Sequence, residues 1–294
     1  MKARLAVLAL CGALILPLTA CGGAPVTSPT PNPSATATPA VTPEIEACED
    51  KELSITLEAW NSDSTASEVL ERAGTYTGPL VNGKPEGKGR FDTQNSSNEL
   101  WYYDGEFKNG TFNGQGACVW PESNRMQWGT YKNGLFVPST PQEFFVSHAT
   151  VAARPYSLSD TSISFLSDHP SFFPYDAANP VEDIRLFVDT SIEYKMLTKN
   201  ITKYEASLIS MTGLSVIQIF EATFWGNMTT EINAMDTQGN VLTIYYKGEL
   251  PDVFEQSVIN LIGLPVALSG YDNVSGGVTN TIIVLGCQID CLES

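Results

Sequence analysis

The stretch YDGEFKNGTFNGQG, residues 103–116, decides the fold because YTGPLVNGKPEGKG, residues 76–89, carries the same markers at identical spacing. Both copies follow the pattern Y-x-G-x-(F/L)-x-N-G-x-x-x-G-x-G. A third and shorter copy, GTYKNG at residues 129–134, lacks the closing Gly-x-Gly. Self-similarity at a fixed spacing indicates a repeat architecture, in which one small unit recurs and neighbouring units stack.

Each copy predicts a β-hairpin. The centre of each copy is an Asn-Gly pair, at Asn82-Gly83, Asn109-Gly110 and Asn133-Gly134. These two residue types tolerate the positive φ angles of a two-residue type I′ turn, and alternating residues flank the pair on both sides. One hairpin cannot bury its own apolar face, so we expect the three hairpins to stack into one sheet.

The spacing resembles the MORN repeat, whose pattern is Tyr-x-Gly-x-Phe/Trp-x-x-Gly-x-x-x-Gly-x-Gly. The resemblance covers residues 74–137, with Leu80 in place of the usual aromatic residue and a polar insert from Thr93 to Asn98. It implies either contact with membrane phospholipids or a scaffold for protein partners. Residues 74–137 hold six basic and six acidic side chains. This balance weakens the lipid interpretation, because anionic lipid attracts clusters of basic groups.

The aromatic side chains of the repeats are the candidate binding residues of this region. Large aromatic residues at such positions either contact a partner or fill the space between neighbouring hairpins. Both interpretations apply to Trp101, Tyr103, Phe107, Trp120, Trp128 and Tyr131.

Residues 1–20 predict a secretory signal peptide. Lys2 and Arg4 give a basic start, and an apolar run of the length typical of a signal h-region follows up to Ala20. The run ends in LTAC, which resembles the lipobox of bacterial lipoproteins. The resemblance implies cleavage before Cys21 and acylation of its thiol. The competing interpretation is an ordinary secretory signal that contains a cysteine by chance.

Residues 21–47 are rich in Pro, Thr, Ser and Ala, a composition that favours an extended tether over a packed core. We therefore expect an extracytoplasmic protein held at the cell membrane by the lipid on Cys21. Beyond the tether, changes of pattern divide the chain into a hairpin sheet at residues 48–137, a connector at 138–189 and a barrel at 190–294.

From residue 190 onward, segments of strand character alternate with turn residues. A short helix is expected first, from a capping box at Thr190 and Glu193 to about Asn200. A long first strand that contains Gly213, and an interruption after the third strand, predict a small five-stranded barrel of the OB type. The five strands are expected at Glu205–Phe220, Asn227–Met235, Val241–Tyr246, Val258–Leu268 and Thr279–Ile289.

The same region resembles the OB-like domains of bacterial envelope lipoproteins, which begin with Tyr-x-x-Leu-x-x-Asn-Pro-x-x-Tyr. Ile201 stands here in place of the proline, and the matching residues are Tyr194, Leu197, Asn200 and Tyr204. Together with the repeats, this resemblance predicts a mainly β chain that contains a MORN-type sheet of stacked hairpins, a connector and an OB-like barrel.

The charge of the chain argues against nucleic acid as a partner. The formal net charge is −17, and residues 190–294 hold four lysines against eleven carboxylates. Single-stranded nucleic acid needs a basic groove. Phe224, Trp225, Tyr245 and Tyr246 either form a platform for a saccharide or peptide or pack in the barrel. Of these, Trp225 and Tyr245 are the candidate binding residues.

No catalytic site, metal site or cofactor is predicted. The chain has two histidines, His148 and His169, both in the connector, and no motif spacing typical of a nucleophile, metal or phosphate site. The cysteines permit three disulfide pairings or remain buried thiols. They are Cys48, Cys118, Cys287 and Cys291.

These observations favour a non-catalytic binding or scaffold protein of the bacterial cell envelope. Its expected partner is an envelope protein or polymer. The alternative is a hydrolase of envelope glycans that uses a pair of carboxylates, which a chain with 33 Asp and Glu residues has the side chains to form.

Overall fold

A computed structural model describes residues 44–272 and 276–293, which belong to one compact unit. The expected fold class is confirmed, because the chain is mainly β with a curled sheet over the repeats and a five-stranded sheet at its C-terminal end. The expected signal peptide, Cys21 and most of the tether lie outside the described residues. Within the described ranges, no helix has the length and apolar character needed to cross a membrane.

Eight antiparallel strands form the hairpin sheet. They pair in the order β1-β2-β4-β5-β6-β7-β8, and the short β3 pairs with β2. Sequence neighbours are therefore neighbours in the sheet, as stacking of local hairpins requires. The strands are β1 (Ile45–Trp60), β2 (Ser67–Val81), β3 (Lys84–Pro85), β4 (Gly87–Gln94), β5 (Leu100–Lys108), β6 (Thr111–Trp120), β7 (Arg125–Lys132) and β8 (Leu135–Phe136).

The three expected turns are confirmed. Each Asn-Gly pair has positive φ at both residues, for example 54° at Asn109 and 91° at Gly110. The flanking residues pair directly, as Lys108 does with Thr111. Two-residue turns of this kind fix the register of the strands they join.

The sheet curls until its two ends touch. The backbone N–H of Glu58 on β1 donates to the carbonyl of Asn133 at 2.9 Å. The indole N–H of Trp60 donates to the carbonyl of Phe136 at 2.7 Å. The turn of the third, incomplete repeat thus docks on β1. Strand β1 begins at Ile45, inside the segment expected to be tether.

The connector contains two helices, α1 (Pro141–His148) and α2 (Asp160–Asp168), and a 3₁₀ turn at Ile184–Phe187. Thr140 caps α1 by accepting from the N–H of Glu143, and a proline occupies its first turn. The hydroxyls of Ser147 and Thr150 accept from the backbone N–H groups of Trp128 (2.9 Å) and Met126 (3.1 Å). Helix α1 therefore covers the edge of β7, which would otherwise present unpaired backbone groups.

Five strands close the barrel in the order β10-β11-β13-β12-β9, with β11 and β13 parallel. The expected bounds of β10 and β11 are confirmed, whereas β9, β12 and β13 end about four residues later than expected. The expected helix start at Thr190 is wrong, because Glu193 caps α3 (Tyr194–Lys199) and a second 3₁₀ turn follows at 201–203. The strands are β9 (Ile209–Phe224), β10 (Asn227–Met235), β11 (Val241–Tyr246), β12 (Val258–Asp272) and β13 (Val278–Glu293).

Two buried clusters hold the unit together. One fills the barrel interior with aliphatic side chains such as Ile232 and Leu242. The other is rich in aromatic rings and runs from the inner face of the hairpin sheet through the connector to the outer face of the barrel. Connector and barrel are thus parts of one continuous packing arrangement, which places the connector's side chains against the strands of the barrel.

Candidate functional site

The tyrosine that opens each complete repeat lies on the inner face of the hairpin sheet and is fully buried. The hydroxyls of Tyr76 and Tyr103 donate to the carbonyls of Pro79 at 3.0 Å and Glu106 at 2.9 Å, three residues further along the chain. Burial raises the pKa of Tyr76 to about 12, so the phenol stays a donor at neutral pH. The repeat tyrosines therefore have a structural role in the sheet.

A row of glycines crosses the sheet beside these rings. Gly89 is paired with Gly105, and Gly105 with Gly116, on three successive strands. A Cβ at Gly89 would lie 2.5 Å from the hydroxyl oxygen of Tyr76, and one at Gly116 would lie 2.4 Å from the ring of Tyr103. The Gly-x-Gly end of the pattern thus makes room for the tyrosine of the same repeat.

The other candidate binding residues of the repeats are mostly covered. Phe107 and Tyr131 are buried in the aromatic cluster. Trp101 is 8% exposed and stacks on the half-buried Trp120, with ring centroids 5.6 Å apart. Trp128 is half-buried beside α1. Inter-hairpin packing accounts for the buried residues, and binding through Trp120 or Trp128 stays a prediction.

Trp225 and Tyr245, the candidates on the barrel, are also buried. Trp225 occupies the two-residue turn between β9 and β10 with φ of 51°, and its ring centroid lies 5.0 Å from that of Phe136 and 5.9 Å from that of Phe144. It joins the barrel to the hairpin sheet. The hydroxyl of Tyr245 accepts from the backbone N–H of Arg154 in the connector at 3.1 Å.

The opposite face of the hairpin sheet carries a groove of about 870 Å³. We call it the outer groove, and it crosses β1, β2, β4 and β5. Because successive residues of a strand point to opposite faces, the residues one position away from the repeat markers line it. They include Glu52, Thr75, Arg90, Asp92, Leu100 and Tyr102, and side chains of the other parity, among them Thr93 and Trp101, also contribute to the lining. Leu100 is 57% exposed at the start of β5.

The charges of the outer groove are fixed and nearly balanced. Arg90 donates two hydrogen bonds to the carboxylate of Asp92, at 2.8 Å and 2.6 Å, and its guanidinium carbon lies 3.7 Å from the centre of the Tyr102 ring. The hydrogen bond to Asp92 raises the pKa of Arg90. Glu52 adds a second carboxylate to the lining. The groove therefore combines an apolar floor with one cationic and two anionic groups.

Neither histidine lies in the outer groove. His148 is buried under the barrel and hydrogen-bonded through Nδ1 to the hydroxyl of Tyr156 at 3.2 Å. Burial lowers the pKa of His148 to about 3. His169 lies 3.1 Å from a carboxylate oxygen of Glu182 and stacks on Phe172. Both side chains have structural partners.

The cysteines do not form any of the three pairings that the sequence left open, because Cys48, Cys118 and Cys287 are free thiols. Burial raises the pKa of Cys118 to about 12 and that of Cys287 well above its usual range. Over residues 44–272 and 276–293, no three His, Cys, Asp or Glu side chains lie close enough together to hold a metal ion.

The comparisons with known proteins agree with the repeat pattern. The MORN repeat family model matches residues 74–97 and 103–125. The chain contains MORN repeats. The two matched segments include β4 and the greater part of β5. They cover Thr75, Arg90 and Asp92 of the outer groove, whereas Leu100 and Tyr102 lie between the two matched segments. No curated protein and no solved structure gives a significant match to the chain.

Of the aromatic residues that the sequence analysis selected in the repeats, Trp101 lines the outer groove. Tyr103 was chosen and Tyr102 was passed over, although the two are adjacent and of the same type. The signal that identifies Tyr102 is its position one residue off the repeat register, which puts its side chain on the face that the repeat does not bury. Arg90 and Asp92 follow from the same parity.

Proposed function

We propose that the chain is a non-catalytic binding protein of the bacterial cell envelope that holds an extended segment of a protein partner in the outer groove. MORN repeats suggest a membrane-binding or scaffold role, and the groove favours the scaffold role. The observation that carries the proposal is the division of the sheet into two faces. The repeat tyrosines are buried on one face, while Leu100 and Tyr102 stay accessible on the other.

The chemistry of the groove favours a polypeptide over lipid. A surface that binds anionic phospholipid needs several basic groups near the headgroups. The lining of the outer groove has Arg90 against the carboxylates of Glu52 and Asp92, so the local charge is slightly negative. A peptide segment supplies apolar side chains for Leu100 and both signs of charge for the rim.

A glycan is a poorer fit to the same surface. Saccharide recognition uses the open face of an aromatic ring, against which the C–H groups of a sugar stack. The guanidinium of Arg90 already covers the ring of Tyr102 at 3.7 Å. The groove therefore offers a mixed apolar and charged strip in place of an open stacking platform.

The test is capture of the partner from cells that produce the tagged full chain, after brief chemical crosslinking. We expect Leu100→Asp to reduce the captured partner about tenfold or more, because a charge at the centre of an apolar contact costs on the order of 2 kcal/mol of binding energy. Leu186→Asp is the matched control, since Leu186 is 81% exposed on the connector. Equal loss in both variants, or in neither, would contradict the proposal.

A separate experiment tests the membrane-binding role. The Cys21→Ser variant, which lacks the acylation site, is mixed with vesicles of anionic phospholipid at low salt and sedimented. The scaffold proposal expects the protein to stay in the supernatant. Sedimentation that Leu100→Asp abolishes would assign the outer groove to lipid instead.

The proposal includes an anchor at Cys21, which the lipobox resemblance supports. The wild-type chain should incorporate labelled fatty acid and fractionate with membranes. Cys21→Ser should lose the label and appear in the soluble fraction, because a protein without acyl chains has no stable anchor in a bilayer. Retention of the variant in the membrane fraction would remove the anchor from the proposal.

The hydrolase alternative needs two carboxylates that act across a cleft. Glu52 and Asp92 are the carboxylates that line the outer groove, and Asp92 is held in a two-bond pair with Arg90. A carboxylate in such a pair favours a fixed ionic role over proton transfer. Turnover of cell-wall glycan by the purified chain, lost in Glu52→Gln or Asp92→Asn, would replace the binding proposal with this one.

A further inference from the structure

A second cavity, of about 660 Å³, lies between the connector and the outer face of the barrel. We call it the barrel cleft. Its walls come from the connector at Arg154, from β9 and β10, from Tyr245 on β11 and from the end of β12 at Ser269. A cavity of this volume is in the range that small-molecule ligands occupy.

An ion pair is fixed in the wall of the barrel cleft. The Nη1 group of Arg154 donates to Glu231 at 2.6 Å and to the side-chain oxygen of Asn233 at 3.1 Å. Exposure of the two charged side chains is 19% and 13%. Tyr245 holds the backbone of Arg154 by accepting from its N–H and donating to its carbonyl. The pair is therefore pre-positioned and electrically neutral as a unit.

A buried hydroxyl in the same wall has no partner. Thr229 lines the barrel cleft and is 2% exposed, and its Oγ1 atom makes no hydrogen bond in the structure. Buried polar groups are almost always paired, so an unpaired hydroxyl in the wall of a cavity indicates an atom that a ligand supplies.

Aromatic rings lie beside these polar side chains on the same face of the barrel sheet. Phe220 lines the barrel cleft, is 51% exposed, and is the direct cross-strand neighbour of Glu231. Phe224, four residues further along the same strand, also lines the barrel cleft and packs on His148 with ring centroids 4.8 Å apart. The barrel cleft thus places an apolar ring surface next to polar side chains.

The Arg154–Glu231 ion pair favours a ligand without net charge. An anion would lie close to the carboxylate of Glu231, and a cation would lie close to the guanidinium of Arg154. Either would have to separate a charge pair that is 2.6 Å long and mostly buried. A neutral ligand with many hydroxyls can donate to Glu231, accept from the Thr229 hydroxyl, and stack its C–H face on Phe220 without separating the pair.

We propose that the barrel cleft is a binding site for a neutral saccharide, recognised by the Arg154–Glu231 pair, the unpaired Thr229 hydroxyl and the Phe220 ring. The site is separate from the outer groove and uses none of its residues. A chain with both sites holds a protein segment on the hairpin sheet and a glycan on the barrel. The inference does not depend on the proposed function of the outer groove.

The test is isothermal titration calorimetry of the purified full chain with four neutral probes, triacetylchitotriose, cellotriose, maltotriose and mannotriose. We expect at least one to bind with a Kd below about 1 mM. Phe220→Ala should weaken that binding tenfold or more. Phe254→Ala is the matched control, because Phe254 is 58% exposed in the turn before β12 and does not line the barrel cleft.

Thr229→Val gives a second readout, which does not depend on a loss of protein stability. Valine has the shape of threonine without the hydroxyl, so the free protein should melt about 2–4 °C higher when the unpaired group is removed. The same variant should bind the sugar at least threefold more weakly. A lower melting temperature would show that the hydroxyl is already satisfied by water or protein.

Three outcomes overturn the inference. One is no heat of binding with any of the four sugars. Another is binding that Phe220→Ala and Thr229→Val leave unchanged, or that Phe254→Ala weakens equally, since either result places the sugar elsewhere. The third is binding of inorganic phosphate or free glutamate in preference to the sugars, which would assign the barrel cleft to anions.

Discussion

The hairpin sheet buries aromatic rings against a row of glycines, whereas the barrel interior is filled with aliphatic side chains. In the sheet, Tyr103 fits because Gly105 and Gly116 have no side chain to meet it. The barrel has such a position at Gly263, where a Cβ would lie 2.6 Å from Cγ1 of Val284, but its interior is otherwise filled by aliphatic side chains such as Ile232 and Leu242. The sheet therefore depends on a row of missing side chains, and the barrel depends mainly on the total volume that fills it.

The largest expected effect is the difference in stability loss between substitutions on the two faces of the hairpin sheet. Tyr103→Ala removes a fully buried ring that stacks on Phe112 at 3.9 Å and should reduce the free energy of unfolding by about 3–5 kcal/mol. Tyr102→Ala removes the same atoms from the adjacent residue on the outer face. Its cost should be about 1 kcal/mol or less, mainly the contact with Arg90. Urea unfolding of both variants measures the difference.

Similar losses for Tyr102→Ala and Tyr103→Ala would contradict the assignment of the two faces. The outer face would then also be a packing surface, and the outer groove could not be open to a partner in solution.

A smaller effect tests the dependence of the sheet on its glycines. A methyl group at Gly116 would lie 2.4 Å from the ring of Tyr103, so Gly116→Ala should cost about 3 kcal/mol through overpacking. Gly213, in barrel strand β9, has φ of 68° and open space around it. Gly213→Ala should cost only about 1 kcal/mol, from the backbone conformation alone. The two glycines are compared by their unfolding midpoints in urea.

A larger loss of stability in Gly213→Ala than in Gly116→Ala would contradict this difference between sheet and barrel. In that case backbone conformation, and not the space for the tyrosine ring, would be the reason for glycine in this chain.

The smallest stability effect concerns pH and the contact between connector and barrel. His148 has a pKa of about 3 in the folded protein because burial opposes its charged form. The unfolded chain binds this proton below about pH 6.5, so stability is complete above that value and falls as the pH decreases toward 3. Between pH 6.5 and pH 5 the loss should be about 2 kcal/mol.

The control for this pH dependence is a pair of variants. His148→Gln should remove the slope between pH 6.5 and 5, and His169→Gln should keep it because His148 remains. Glu231, whose pKa burial raises, contributes with the opposite sign in all three proteins and cancels in the comparison. An unchanged slope in His148→Gln would mean that His148 is not buried in its neutral form.

The parts of the fold that the sequence predicted are those set by local spacing. The Asn-Gly turns, the register of the repeats and the bounds of β10 and β11 depend on residues a few positions apart, and each was confirmed. The helices of the connector had a readable signal in Thr140 and Pro141, a cap residue followed by proline. Strand β1 was not predicted as a separate strand, because it precedes the first repeat marker; its residues 48–60 were expected in the hairpin sheet and residues 45–47 in the tether.

The sites were harder to predict for a physical reason. Most of the outer-groove residues are missed by a search for repeat markers because they occupy the alternate positions along their strands. The barrel cleft brings together Arg154, Phe220, Glu231 and Ser269, which lie on separate segments and share no spacing. Only the closure of the barrel and the path of the connector place them around one cavity.

Photocrosslinking in cells that produce the chain tests whether a segment of a partner protein occupies the outer groove. A photoreactive phenylalanine analogue replaces Tyr102 in the outer groove or, as the control, Leu186 on the connector. We expect a discrete protein adduct from position 102 that Leu100→Asp abolishes, and no such adduct from position 186. The same adduct from both positions, or no adduct from position 102, would contradict this expectation.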